Sequence, residues 1–229
     1  MIVAFIKKLG IDRRLLRKSF IHKLIAKDWF MRPYFNQEKV NSIVSIGDPV
    51  RYGTISLALE QIEKANIIGA IAECGVWKGY LSKFIREQNT SRIYYLFDTF
   101  EGFHQNDKDD FSDKDTRFQD TSVEAVLKYI GNTDNVKVQK GFFPSTTKGL
   151  ENEQFAFVVL DFDKYEPTLS ALEFFYPRLS KGAYVFVHDY NSPESNWACS
   201  RAVDEFLNDK PECVISIPDA WGSVVFRKM

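Results

Sequence analysis

Short apolar runs alternate along the chain with stretches of helical spacing. Residues 70–72, 93–97, 136–140, 155–160 and 182–187 each read as a strand. The run 155–160 is apolar without a break, as expected for a central parallel strand covered on both faces. After the first run, Tyr80, Leu81, Phe84 and Ile85 recur at helical intervals. Thr54 is placed to cap a helix to Lys64, with Ile55, Leu57, Leu59 and Ile62 as its apolar positions. Further helices are predicted from an Asp120-Thr121-Ser122 cap to about Ile130, over 169–176 before Pro177, and over 198–207. Residues 214–217 and 223–226, joined through 218–222, read as a closing antiparallel pair. Strands alternating with helices predict a doubly wound α/β domain, whose ligands sit beyond the carboxyl ends of the strands.

The first fifty residues break this pattern. Between Lys7 and Lys27 there are eight Lys or Arg and one acid, Asp12. Leu16, Phe20 and Leu24, with Ile21 and Ile25, form one face of a predicted helix. Such a helix lies on a membrane surface or a partner, or packs on the catalytic domain or a second subunit. Residues 30–49 show little periodicity and read as a loop or lid. The expected organisation is a basic helical extension or lid over 1–50 and a ligand-binding domain over 51–229.

Bulk properties narrow the setting. A formal net charge of −1 gives no global field for nucleic acid. Three cysteines, Cys74, Cys199 and Cys213, without a Cys-x-x-Cys pair, fit a reduced cytoplasmic compartment. No apolar run has the length of a transmembrane helix, and residues 1–6 are too short, with charge after rather than before them, for a secretory signal. Contact with the inner membrane face through residues 1–30, and homo-oligomerisation, are the partner readings the extension offers.

The chemistry gathers at strand ends. Glu73-Cys74-Gly75-Val76-Trp77-Lys78-Gly79 is a strand–turn–helix junction with glycines at the turn. Glycine lets the backbone approach a ligand closely, and the helix start offers free N–H groups. Asp98 ends the second strand, where a carboxylate can accept hydrogen bonds from both ribose hydroxyls of an adenosine. The Glu-x-Gly-x-x-x-Gly spacing is looser than a dinucleotide fingerprint. It favours an adenosyl ligand without a pyrophosphate, such as S-adenosylmethionine. Asp161 and His188-Asp189 end two further strands, and clustered carboxylates repel unless a ligand or cation uses them. Asp107, Asp109, Asp110, Asp113, Asp115 and Asp120 lie in one polar segment. They lack the spacing of an EF-hand loop and read as a solvated active-site loop. The plain alternatives are a helix cap for Asp161, a solvated charge for Lys164, and surface positions for His22 and His104. Trp77 is either a wall of the cleft or core, or a substrate platform.

In order along the chain, these residues resemble the macrocin-type O-methyltransferases, S-adenosylmethionine enzymes acting on sugar hydroxyls of macrolides. The resemblance rests on Ile68-Gly69 with Glu73 to Gly79, Asp98-Thr99-Phe100-Glu101-Gly102, Asp120-Thr121-Ser122-Val123-Glu124, Gly141-Phe142-Phe143 and Leu160-Asp161-Phe162-Asp163-Lys164-Tyr165-Glu166. Tyr176 to Gly182 and Cys199 to Phe206 complete it, over roughly residues 50–229. It implies a class I methyltransferase fold, a mostly parallel seven-stranded sheet with an antiparallel final strand. It also implies Mg²⁺-assisted methyl transfer to a sugar or related small molecule. The implied cofactor set is Glu73, Gly75, Val76, Trp77, Gly79, Asp98, Thr99, Phe100, Gly141, Phe142 and Asp161. Where the family commonly has Asp-Asp-Tyr, this chain has His188-Asp189-Tyr190. Lys164 instead resembles the Asp-x-x-Lys of catechol-type and caffeoyl-CoA-type O-methyltransferases, where the lysine is the proposed general base.

The expected mechanism is an in-line displacement. Asp161, Asp189 and His188 are the candidate ligands of Mg²⁺ or another divalent cation. Asp163 or Lys164, or His188 when free of metal, is the candidate proton acceptor. Two other readings stand beside it: a nicotinamide-dependent oxidoreductase, and a cofactor-binding protein without turnover.

Overall fold

The computed structural model describes residues 34–103 and 116–229. The predicted basic helix and its membrane or partner contacts, His22, His104 and the aspartates at 107–115 lie outside the described residues. The chain divides into two compact units, Met1–Pro49 and Val50–Met229.

In the first unit, helix α1 (Gln37–Ile46) occupies part of the stretch expected to be a loop. Its N-cap is Asn36, whose Oδ1 accepts the Lys39 amide at 2.9 Å, and Gly47 ends it in the left-handed region. Val40, Ile43 and Val44 are its buried positions, spaced for one helix face.

Helix α2 (Pro49–Lys64) begins five residues before the predicted cap. Proline suits a first turn, because its missing N–H has no intrahelical partner there. Thr54 is therefore interior, and its hydroxyl donates back to the Val50 carbonyl at 2.8 Å. Tyr52, on the buried face of α2, meets Phe84 edge-on at 4.8 Å.

Among the described residues, β1 (Ala70–Cys74), β2 (Tyr94–Asp98), β3 (Val136–Lys140), β4 (Phe155–Leu160), β5 (Leu179–Val187), β6 (Ile215–Ile217) and β7 (Ser223–Arg227) form one sheet. Its order is β3-β2-β1-β4-β5-β7-β6. Strands β1 to β5 pair in parallel, and the final strand β7 runs antiparallel to both β5 and β6. Helices α3 (Tyr80–Gln88), α4 (Val123–Ile130), α5 (Tyr165–Phe175) and α6 (Ala198–Leu207) fill the connections. Helix α5 starts at Tyr165 rather than 169, because Pro167 sits in the first turn, where it breaks no helical hydrogen bond. Strand β5 likewise starts at Leu179 rather than 182.

Strands β1 and β4 are buried at every position; β4 is apolar throughout, while β1 carries Glu73 within its buried run. Phe155 packs edge-on against Phe175 at 4.9 Å, and Phe97 against Phe143 at 5.6 Å. Each such ring contributes about 1.5–3 kcal/mol when fully buried. Strand order reverses between β1 and β4, which opens a crevice at their carboxyl ends. No described helix is long and apolar enough to cross a membrane.

Candidate active site

The crevice floor is the turn between β1 and α3. Gly75 has φ +85, and a Cβ there would lie 2.0 Å from the Asp161 carbonyl oxygen, so no side chain fits. Its N–H donates to the Phe97 carbonyl at 2.9 Å, while the Asp161 N–H donates to the Cys74 carbonyl at 2.8 Å. The turn is thus pinned between β2 and β4. Asp98 completes the pinning: its Oδ2 accepts the amides of Val76 at 2.6 Å and Trp77 at 2.9 Å, and its Oδ1 accepts the amide of Phe100 at 2.6 Å. Asp98 therefore organises the floor as well as facing the cleft. Gly79 has φ +75, and a Cβ there would meet Val126 at 2.9 Å; its role is close packing of α3 against α4.

Glu73 is 1% exposed. Glu73 pairs with Leu96, so Tyr94, two residues back, shares its face and donates its hydroxyl to the carboxyl group. Burial pushes the Glu73 carboxyl up to about 8, against the lowering effect of the Tyr94 hydrogen bond. With no cation beside it, Glu73 is largely neutral at pH 7.

The second cluster ends β4 and β5. Asp161 Oδ1 lies 2.9 Å from His188 Nδ1, and Asp161 Oδ2 lies 3.5 Å from Arg51 Nη1 of α2. His188 Nε2 lies 3.2 Å from the Ala220 carbonyl oxygen. A carbonyl only accepts, so Nε2 carries a proton, and Nδ1 is left for a second proton or a metal ion. Burial pulls the imidazole down, but Asp161 and Asp189 outweigh it and push His188 up to about 10. Metal-free, His188 is a cation donating to Asp161.

Asp189 has φ +56: the chain turns immediately after β5, which lets consecutive residues His188 and Asp189 face the same side. His188 Nδ1 is 3.3 Å from Asp189 Oδ1. Burial raises the Asp163 carboxyl, and its hydrogen bond to Asp189 raises it further, well above the carboxylate range. Burial also raises Asp189, but hydrogen bonds from His188 and Asp163 outweigh it and hold Asp189 low. Asp163 is thus the protonated partner of an ionised Asp189.

Asp161, His188 and Asp189 offer ligand atoms within 4.8 Å of one another. Asp189 Oδ1 is buried beside the His188 ring. A buried carboxylate oxygen, a second carboxylate and an imidazole nitrogen make a donor set that fits a divalent cation.

Both clusters reach one cleft. Glu73, Gly75, Val76, Trp77, Asp98, Thr99, Gly141, Phe142 and Asp161, all expected from sequence, line it. Phe100, Gly79, Lys164, His188 and Asp189 do not. Phe100 is 3% exposed and held by its amide, and His188 and Asp189 touch the cleft through Asp161 and Asp163. Lys164 is buried, with its ammonium 4.4 Å above the Phe103 ring. Arg51, Tyr94, Phe103 and Phe118 were not foreseen at the site. Asp120, one of the acidic run, is an anchor: it accepts from Trp77 Nε1 at 2.9 Å and pairs with Lys78 at 2.5 Å. Trp77 is accordingly a cleft wall, packed edge-on against Phe118 at 5.5 Å.

Comparison with known proteins gives the family. Residues 41–228 match the Macrocin-O-methyltransferase (TylF) family. The 8-demethyl-8-(2,3-dimethoxy-alpha-L-rhamnosyl)-tetracenomycin-C 4'-O-methyltransferase of Streptomyces olivaceus is 30% identical over 68% of this chain and 64% of its own length. The match thus spans less than two thirds of that relative. The mycinamicin III 3''-O-methyltransferase of Micromonospora griseorubida is 27% identical over 68% of this chain and 67% of its own. The structure of the O-methyltransferase NovP superposes with a TM-score of 0.66 at 26% identity, covering 79% of this chain and 80% of that one. The family match runs through both the glycine turn and the acidic strand ends, and the chain belongs to the macrocin-O-methyltransferase family.

Proposed function

We propose that this chain transfers a methyl group from S-adenosylmethionine to a hydroxyl of a sugar or related small molecule. The observation that carries the reading is that the glycine turn and Asp161 line one continuous cleft. The two named relatives above support a sugar-bearing acceptor, since their names place the methylated oxygen at a 4' or 3'' position. A nicotinamide-dependent reading finds no support in the turn spacing or the family match.

When bound, S-adenosylmethionine supplies the electrophilic methyl. Gly75 keeps the floor turn close against Asp161, Glu73 would stabilise a positive charge on the cofactor, and Asp98 Oδ1 keeps one lone pair for a ribose hydroxyl. Trp77, Phe103 and Phe118 wall the cleft and exclude water. Positioning of this kind lowers a displacement barrier by pre-arranging the attacking oxygen. Asp161, Asp189 and His188 Nδ1 would hold a divalent cation, which makes a bound hydroxyl more acidic. Because both His188 nitrogens are engaged, we assign the histidine to holding rather than to proton removal.

The test is formation of S-adenosylhomocysteine, by mass spectrometry, across a panel of sugar and phenol acceptors. Turnover with a sugar hydroxyl that Asp161→Ala abolishes is the expected result. Tight cofactor binding with no turnover on any acceptor would leave the binding-protein reading in its place.

A further inference from the structure

We infer that the cation site of this chain selects a divalent transition ion of the Mn²⁺ and Co²⁺ kind over Mg²⁺, with His188 Nδ1 as the selecting ligand. This deepens the function proposed above and rests on it.

The argument begins with the donor set. Mg²⁺ favours hard oxygen ligands and dehydrates reluctantly, whereas imidazole nitrogen suits first-row transition ions. Two carboxylates and one imidazole therefore shift the balance away from Mg²⁺. The imidazole is also built in as a ligand would be. Its Nε2–H is donated to the Ala220 carbonyl at 3.2 Å. Metal-binding histidines commonly give their other nitrogen to a carbonyl in this way, which fixes the tautomer and the ring plane. That carbonyl comes from the turn between β6 and β7. The same turn is tied to the β5 end a second time, through the Asn191 amide and the Trp221 and Gly222 carbonyls at 3.2 and 3.1 Å.

The spacing agrees. His188 Nδ1 stands 2.9 Å from Asp161 Oδ1 and 3.3 Å from Asp189 Oδ1. Two ligands at right angles on an ion with bonds of about 2.1 Å lie roughly 3 Å apart. Asp189 is 8% exposed. A buried carboxylate is costly unless a cation pairs with it.

The experiment is direct metal binding, independent of turnover. Mn²⁺ is titrated into chelator-treated protein and followed by the loss of the free-ion electron paramagnetic resonance signal, with Mg²⁺ as competitor. Cofactor binding is measured on the same sample by calorimetry. Mn²⁺ should bind more tightly than Mg²⁺. His188→Ala should weaken Mn²⁺ by at least the ten- to hundred-fold that losing an outer partner costs, about that range. His188→Asp should narrow the Mn²⁺-to-Mg²⁺ ratio. Equal affinities in the wild type overturn the inference without any variant, so a misfolded mutant cannot shelter it. An unchanged ratio in folded His188→Asp overturns it too. If the cofactor binds and no ion does, this inference fails alone; if neither binds, the proposed function fails with it.

Discussion

The Asp98 carboxylate holds the Trp77 amide at 2.9 Å, so the residue at the end of β2 shapes the turn at the end of β1. The ribose contact proposed for Asp98 and this structural duty would meet in one side chain. Asp98→Ala removes three amide bonds to a charged acceptor, each worth about 1.5–3 kcal/mol. The expected result is a lower melting temperature and at least a tenfold loss of S-adenosylmethionine affinity, about what 1.4 kcal/mol gives. Asp98→Asn keeps one acceptor oxygen and should fall between. Calorimetry beside a thermal melt checks both, and unchanged affinity in folded Asp98→Ala would sink the assignment.

Gly75→Ala tests the floor from the other side. The new methyl would stand 2.0 Å from a backbone oxygen of Asp161, and its φ of +85 is strained for any other residue. Backbone cannot yield as a flexible side chain does, so β1 and β4 must part. The variant should lose measurable cofactor binding and melt lower, by the roughly 1–3 kcal/mol of a strained backbone or more. Wild-type binding by this variant would remove the turn from the site.

Much of the sheet was legible because its central strands are apolar runs, β4 at every position, and burial on both faces leaves little alternative. The carboxyl-end acids were legible for the same topological reason. Helix α1 was missed although Asn36 and Gly47 bracket it, because its apolar Val40, Ile43 and Val44 sit among polar residues. Thr54 was an attractive cap, yet Pro49 was the stronger start signal, masked by Gly53 inside the helix. Arg51 at Asp161 could not be read at all: 110 positions separate them, and no local pattern joins them. The pairing of Tyr94 with Glu73 needed the register of β1 on β2. Phe100 shows the opposite failure, a motif residue whose ring turns into the core.

The unit boundary invites a truncation. The buried face of α2, with Tyr52 against Phe84, belongs to the sheet domain. A chain starting at Pro49 should therefore keep its circular dichroism spectrum and bind S-adenosylmethionine. Failure to fold with cofactor present would make the first unit part of the domain's structure.

Away from the cleft, Glu212 ties down the C-terminal strand. It is 5% exposed and accepts from Tyr176 at 2.6 Å, Lys228 at 3.0 Å and the Met229 amide at 3.1 Å. Burial would raise its carboxyl, but these bonds outweigh it and hold it at about 2. A depressed carboxyl favours the native state while ionised. Its contribution is complete above the unfolded value of about 4.3 and is lost as pH falls towards 2. Glu212→Gln should lower the melting temperature at pH 7 by about 4–8 °C, for a loss near 2 kcal/mol. It should also flatten the acid limb between about pH 4 and 2. An acid limb identical to wild type would show that Glu212 does not carry it.

Glu73 gives the opposite sign and the sharper test of function. Its carboxyl is held up at about 8, chiefly by burial. A cationic cofactor beside it favours the ionised form, so binding must expel a proton whenever the pH lies below 8. Affinity for S-adenosylmethionine should then rise with pH, by up to about tenfold per unit, and level off above about pH 8. The ligand's own α-amino group titrates near about 7.7–8.0 and bends the curve as well. Glu73→Gln separates the two, since it keeps the ligand's titration and removes the protein's. Tyr94→Phe supplies a second handle. Losing the phenol hydrogen bond, which lowers the Glu73 carboxyl, should move the plateau to higher pH. Calorimetry in two buffers of different ionisation enthalpy counts the protons directly. Net release near pH 7 in the wild type, reduced in Glu73→Gln, is the expected outcome; identical counts in the two proteins would place the cofactor's charge elsewhere.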